Sequence, residues 1–213
     1  MKKQILSILI LSILLISCKE KAKQEKNAAE AKTEVQGIAD ANYTANTETS
    51  LLNWKGFKPT GTHNGTVAIK NGTLEVKGGK LVGGNFVFDM TTITVLDIPA
   101  DDEYNAKLKG HLENGDFFNI ENNPTATFEI IEVTQNENTL VKGNLTVKGI
   151  TKSIEFPATL KNTATGIQLS GAPFEIDRTE FDIKYKSKKF FENIKDKFIN
   201  DEFEISFEVN ASK

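Results

Sequence analysis

One cysteine, Cys18, stands in the whole chain, so no internal disulfide can staple the fold. Histidine occurs only at His63 and His111, far apart and without an HExxH or other ligand-spaced cluster, which leaves no sequence basis for a metal centre. His63 lies between glycines in GTHNG, in a turn or hydrogen-bonding position. His111 sits half-buried beside Leu112. The acids Asp97, Asp101, Asp102 and Glu103 lack the glycine and ligand spacing of a calcium loop and read as a solvated loop and helix start. There is no GxSxG motif and no evident acid–histidine partner for a serine, so the chain is not expected to be an enzyme. Positive charge is not in excess either, with 26 basic against 29 acidic side chains. That balance argues against a nucleic-acid partner and against a polybasic lipid-binding surface.

The long apolar run at the start is the first feature present. Lys2 and Lys3 precede Ile5–Ile16, interrupted only by two serines, and LLISC ends at Cys18. A basic start, a short apolar core and a small-residue cut describe a secretory signal peptide over residues 1–17. LLISC resembles the bacterial lipobox, whose cysteine receives a diacylglycerol and becomes the first mature residue. The resemblance implies a lipoprotein anchored in the bacterial cell envelope, periplasm-facing or at the surface, with Cys18 as the lipidation site. Loss of residues 1–17 removes two lysines and no acids, moving the formal charge from −3 to −5. Residues 19–41 hold almost no large apolar side chains and read, with Cys18, as a flexible tether.

From Asn42 the texture becomes short alternating runs punctuated by Gly, Asn and Pro. Val67 and Ile69, Leu74 and Val76, then Val82, Phe86, Phe88 and Met90 fall on single faces of successive strands. Ala126, Phe128 and Ile130 do the same, and Ile131 breaks the pattern, which predicts a bulge. Val141, Gly143, Leu145 and Val147 share a face, as do Ile154, Phe156, Ala158 and Leu160. Ile167 with Leu169, and Phe203, Ile205, Phe207 and Val209, complete the series. Many such strands joined by turns predict an all-β domain over 42–213, an antiparallel barrel or sandwich. Two stretches depart from period two. Tyr104, Leu108 and Leu112 predict a short helix within Asp101–Phe118, and Phe190, Ile194 and Phe198 predict a second within Lys188–Phe198. The second stripe reads as core before any lid or membrane role.

A barrel of about eight strands either fills itself with side chains or holds one small ligand. Inward glycines such as Gly84 and Gly143 withhold volume from a solid core, though glycines also mark bulges and corners. Phe86, Phe88, Phe128 and Phe156 can wall a long apolar space. Pattern alone leaves cavity and filled core evenly balanced.

Four stretches in order resemble the YceI-like family of bacterial exported proteins: WKGFKPTGTHNGTV (Trp54–Val67), LKGHLENGDFFNIENNPTATFEI (Leu108–Ile130), VKGNLTVKGITKSIEFPA (Val141–Ala158) and FEIDRTEFDIKY (Phe174–Tyr185). The aromatic pair ahead of a turn proline, with GxLTxKGxTK at that distance, carries most of the likeness. It implies a lipocalin-like antiparallel barrel of about eight strands with one or two short helices, holding a polyisoprenoid or similar long-chain amphiphile, with no settled catalytic activity. Related barrels often pair, which makes a homodimer the implied assembly, although the residues themselves leave oligomeric state open. No cofactor is implied beyond a bound lipid.

The candidate ligand-binding residues are Trp54, Phe86, Phe88, Phe117, Phe118, Phe128, Leu145, Phe156 and Arg178. Phe117 and Phe118 are expected where a loop crosses a barrel end, with at least one plugging or lining it, and Pro124 fixing the start of a strand near Thr125. Arg178, the only arginine, either caps loop carbonyls or pairs with an acid, or else meets a polar ligand head. The expected function is carriage or storage of an isoprenoid-like lipid near the envelope. The rival is a filled barrel whose loops bind a protein or polysaccharide.

Overall fold

The structure, a computed structural model, describes residues 37–135 and 139–213. The signal segment, Cys18 and nearly all of the tether lie outside the described residues. Among the described residues, nine strands form one antiparallel sheet. They are β1 (Ala41–Ala45), β2 (Leu51–Lys58), β3 (Gly61–Lys77), β4 (Lys80–Asp89), β5 (Thr125–Gln135), β6 (Thr139–Val147), β7 (Ile150–Thr163), β8 (Gly166–Asp177) and β9 (Glu202–Ser212). Each of β3 to β8 pairs with its successor, and the ring closes through β2, which joins β9 to β3.

The ninth strand does not widen the barrel. β1 pairs with Thr73–Val76 of β3 and with Ala211–Ser212 of β9, while β2 pairs with Gly61–Val67 of β3 and Glu204–Glu208 of β9. The two short strands are therefore the lower and upper halves of one stave, and the barrel is a closed ring of eight. Closure leaves no free sheet edge at that seam.

Alternation buries the expected faces. Leu74, Val76, Ile167, Leu169 and Val141 are among the most deeply buried side chains. The bulge predicted at Ile131 is present: pairing with β6 shifts between Ile130 and Glu132, and Ile131 is 55% exposed. A second bulge escapes the pattern. The β3–β4 register shifts between Glu75 and Val76, so Leu81 points inward and Val82, expected inside, is 41% exposed. Neither inward glycine opens the interior. A Cβ on Gly84 would come within 2.5 Å of the Thr73 carbonyl oxygen, and one on Gly143 within 2.4 Å of the Phe128 ring, so both mark close approach.

All the long connections gather at one end, the upper end, where β4 leads to β5 and β8 to β9. The first carries α1 (Glu103–Glu113), whose Asp102 side chain accepts from the Tyr104 N–H at 2.8 Å as an N-cap. Leu112 is buried but Tyr104 is 63% exposed, so the helix docks by its last turn rather than along its whole predicted stripe. The second connection holds no α-helix. Lys188–Phe198 runs as turns with one 3-10 turn at Lys195–Lys197, because Asn193 and Lys195 adopt left-handed backbone that a right-handed helix cannot accommodate. Phe190 and Phe191 are half-exposed there, so the expected core stripe does not form. The lower end is packed shut by Tyr43, Leu74, Val76, Leu81 and Ile167.

Candidate functional site

The barrel axis holds a tunnel of about 170 Å³, and every stave from β2 to β9 contributes side chains to it. Its wall is almost wholly apolar. Several inward residues, among them Trp54, Ile154, Phe174 and Phe207, remain only partly buried although they point inward, because one side of each borders this space.

The sequence candidates converge on it. Phe86, Phe88, Phe128 and Phe156 wall the tunnel on the β4–β7 side, with Leu145 between the strands that carry the last two. Trp54 lines it from β2, its indole N–H donating to the Thr94 carbonyl at 3.1 Å, which fixes the ring at the rim. Phe117 and Phe118 line the upper end, held by a hairpin-like turn in which the Phe117 and Phe118 N–H groups donate to the carbonyls of Asn114 and Leu112. Phe117 is buried against His111 and Tyr185, whose ring centroids lie 5.0 and 5.8 Å from its own. Pro124 stands immediately before β5, and its carbonyl accepts from the Met90 N–H.

Arg178 borders the same space, with its guanidinium engaged by backbone. Its Nε, Nη1 and Nη2 donate to the carbonyls of Asn200 (2.9 Å), Ile183 (2.6 Å) and Ile199 (3.0 Å). Asp201 stands 3.6 Å from Nη2, an ion-pair distance too long for a hydrogen bond, and its Oδ1 has no other partner. Burial pulls the guanidinium below its ordinary value, opposed by the carboxylates of Asp201, Asp177 and Glu202. The planar fork thus ties both ends of the β8–β9 connection over the tunnel. Lys189 joins this cluster by reaching Asp177 at 2.6 Å.

The candidate ligand-binding residues did not include Phe174 and Phe207, which complete an aromatic cluster with Phe156. The Phe156 and Phe174 rings are stacked at 4.5 Å, and Phe207 meets Phe156 edge-on at 5.5 Å. Phe207 was legible as an inward residue of the last strand. Phe174 was hidden by the irregular register between Gly171 and Phe174. The polar features stand elsewhere. His63 contacts Asp97 at 2.7 Å, and Asp97 also accepts from the Asn64 N–H. Burial pushes the Asp97 carboxyl up, but the hydrogen bonds from Asn64 and His63 outweigh it and hold the group below its ordinary value. No cluster of three or more metal-ligating side chains occurs among the described residues.

A closed antiparallel barrel of eight staves around an apolar tunnel has a lipocalin-like architecture. Residues 43–211 match the YceI-like domain, and the chain belongs to that family. A UPF0312 protein of Pseudomonas aeruginosa (strain UCBPP-PA14) is 37% identical over 84 residues, covering 36% of this chain and 44% of that protein. A UPF0312 protein of Staphylococcus aureus (strain N315) is 42% identical over 65 residues, covering 29% and 36%. The alignments thus span under half the length of these curated relatives. Among solved structures, Burkholderia cenocepacia BcnA superposes with a TM-score of 0.61 at 15% identity, over 79% of this chain and 99% of that one. A polyisoprenoid binding domain from Saccharophagus degradans, implicated in plant cell wall breakdown, gives 0.59 at 15% identity over 80% and 97%. At that identity the likeness establishes the fold.

Proposed function

We propose that this protein binds the hydrocarbon chain of an isoprenoid-like or other long-chain amphiphile in its tunnel, for carriage or storage and without chemistry. The observation that carries this reading is the apolar space bordered by all eight staves. The polyisoprenoid binding of the Saccharophagus degradans domain supports it from a shared fold. Affinity would come from burial of methylenes, at about 0.8 kcal/mol each. The tunnel's volume is close to that of engineered apolar cavities of about 150 Å³ that accept benzene. A longer chain therefore displaces the partly buried rings as it threads. Cys18, acylated after removal of residues 1–17, would hold the barrel at a membrane of the bacterial envelope, where such lipids reside.

The test is to purify the protein from a bacterial host, extract it with organic solvent and analyse the extract by mass spectrometry. A long-chain lipid at near one per protein is expected. A lipid-free barrel that captures a specific protein or polysaccharide would replace this reading with the interaction module.

A further inference from the structure

The tunnel has three conceivable closures, and they are unequal. The lower end is filled by tightly packed aliphatic side chains. The upper end is crossed by the β8–β9 connection, which Arg178 pins through three carbonyls and Asn200 pins to the Phe57 carbonyl. The third closure is the side wall, and it contains a seam.

β7 and β8 pair only over Thr159–Thr163 and Gly166–Ser170, next to their connecting turn. Above that, β7 from Ile150 to Ala158 pairs with β6 alone, and β8 from Gly171 to Asp177 pairs with β9 alone. Two prolines stand where the ladder stops, Pro157 on β7 and Pro173 on β8, and neither can donate a ladder hydrogen bond. The irregular register between Gly171 and Phe174 turns the upper part of β8 toward β9. Side chains close what the backbone leaves open. Inside, Phe156 and Phe174 stack across the seam at an interplanar angle of 13°. At the upper rim of the seam, Lys152, two residues along β7 from Ile154, reaches Glu180 at 2.8 Å, and Lys148 donates to the Asp182 carbonyl at 3.3 Å. Ile154, Phe156, Phe174 and Ile176, from both lips, line the tunnel.

We propose that the hydrocarbon chain enters and leaves the tunnel sideways, through the seam between the upper halves of β7 and β8, with the Phe156–Phe174 stack as its gate and Lys152–Glu180 as a latch at its upper rim. The inference rests on the tunnel-binding reading above. Passage through the β4–β5, β5–β6, β6–β7 or β8–β9 wall beside the tunnel requires breaking paired backbone, and passage at the upper end requires releasing the buried Arg178 network. Passage here requires only rotation of aromatic rings and parting of an exposed ion pair, both fast local motions.

The experiment staples the seam. In the full chain carrying Cys18→Ser, Lys152→Cys with Glu180→Cys is bridged by a two-carbon bismethanethiosulfonate that dithiothreitol cleaves. Thr127→Cys with Thr146→Cys, a paired position across the intact β5–β6 ladder, is the control. Farnesol is the probe, followed by the fluorescence of Trp54, the only tryptophan, and by retention of tritiated farnesol on gel filtration. The stapled seam should slow both uptake and release at least tenfold without changing final occupancy, and reduction should restore the rates. The control staple should change neither. Lys152→Ala, which frees the latch without touching the tunnel, should speed exchange several-fold. Full farnesol binding at the same rate in the stapled and reduced forms would remove the side entrance and leave tunnel binding intact. Absence of binding in both forms would remove both.

Discussion

The ring of Phe128 lies over Gly143 so closely that a Cβ on the glycine would stand 2.4 Å from the ring and 2.3 Å from the Glu129 carbonyl oxygen. The glycine is there because an aromatic side chain and a neighbouring backbone occupy its side-chain space. Gly143→Ala should therefore overpack the β5–β6 face and cost about 1–3 kcal/mol, read as a lower urea midpoint with an unchanged m-value. A neutral substitution would mean that the ring moves aside freely.

Arg178→Lys separates two roles. An ammonium cannot reproduce a planar fork, and each buried carbonyl left without a donor costs about 1–3 kcal/mol. Thermal stability should fall while the ratio of extracted lipid to protein stays constant. Loss of lipid at full stability would instead assign Arg178 to a ligand head group.

Leu145→Trp tests the tunnel by filling it. The larger ring can extend into the open axis, so the melting temperature should move by only a few degrees while bound lipid disappears from solvent extracts. A variant that retains stoichiometric lipid would place the ligand elsewhere.

Phe118, half-buried at the upper end, is less tightly packed than Phe117. Phe118→Ser should weaken lipid retention with a modest stability loss, whereas Phe117→Ser should do so with a larger one. Comparison of delipidation rates and melting temperatures checks the order. Equal retention by both variants would detach this pair from the ligand.

Acid should loosen the loop above the tunnel. Burial pushes the Asp177 carboxyl up, but hydrogen bonds from Lys189, the Thr179 hydroxyl and the Thr179 N–H bring it below its ordinary value. The unfolded chain takes up that proton near pH 3.9, so the stabilisation is complete above this value and is lost as pH falls through the lower folded value. The stability gap between the native chain and Asp177→Asn should be constant near neutrality and shrink below about pH 4. A gap that persists unchanged at pH 3 would rule out the carboxylate's charge as its source.

Much of the barrel was legible because burial on one face imposes period two on every strand, whatever its neighbours. That rule placed Val141, Leu145, Phe156 and Val209 inside and revealed the bulge at Ile131. It failed at Val82, where a bulge changes the phase without any local compositional mark. The helical i, i+4 reading failed at Phe190, where the backbone is held in turns with Lys186, Asn193 and Lys195 at positive φ. The tunnel-wall phenylalanines were visible as inward residues, but the stacking of Phe156 on Phe174 was not.

By itself the sequence determined the chemistry of each face and the membership that its motifs announce. Those are local properties, written in one stretch of chain at a time. Only the tertiary structure decided that β1 and β2 share one stave, that Arg178 turns its charge to three carbonyls, and that β7 and β8 part above Thr159. Each depends on which distant strands become neighbours and in what register, a matter of whole-chain geometry that no short segment encodes.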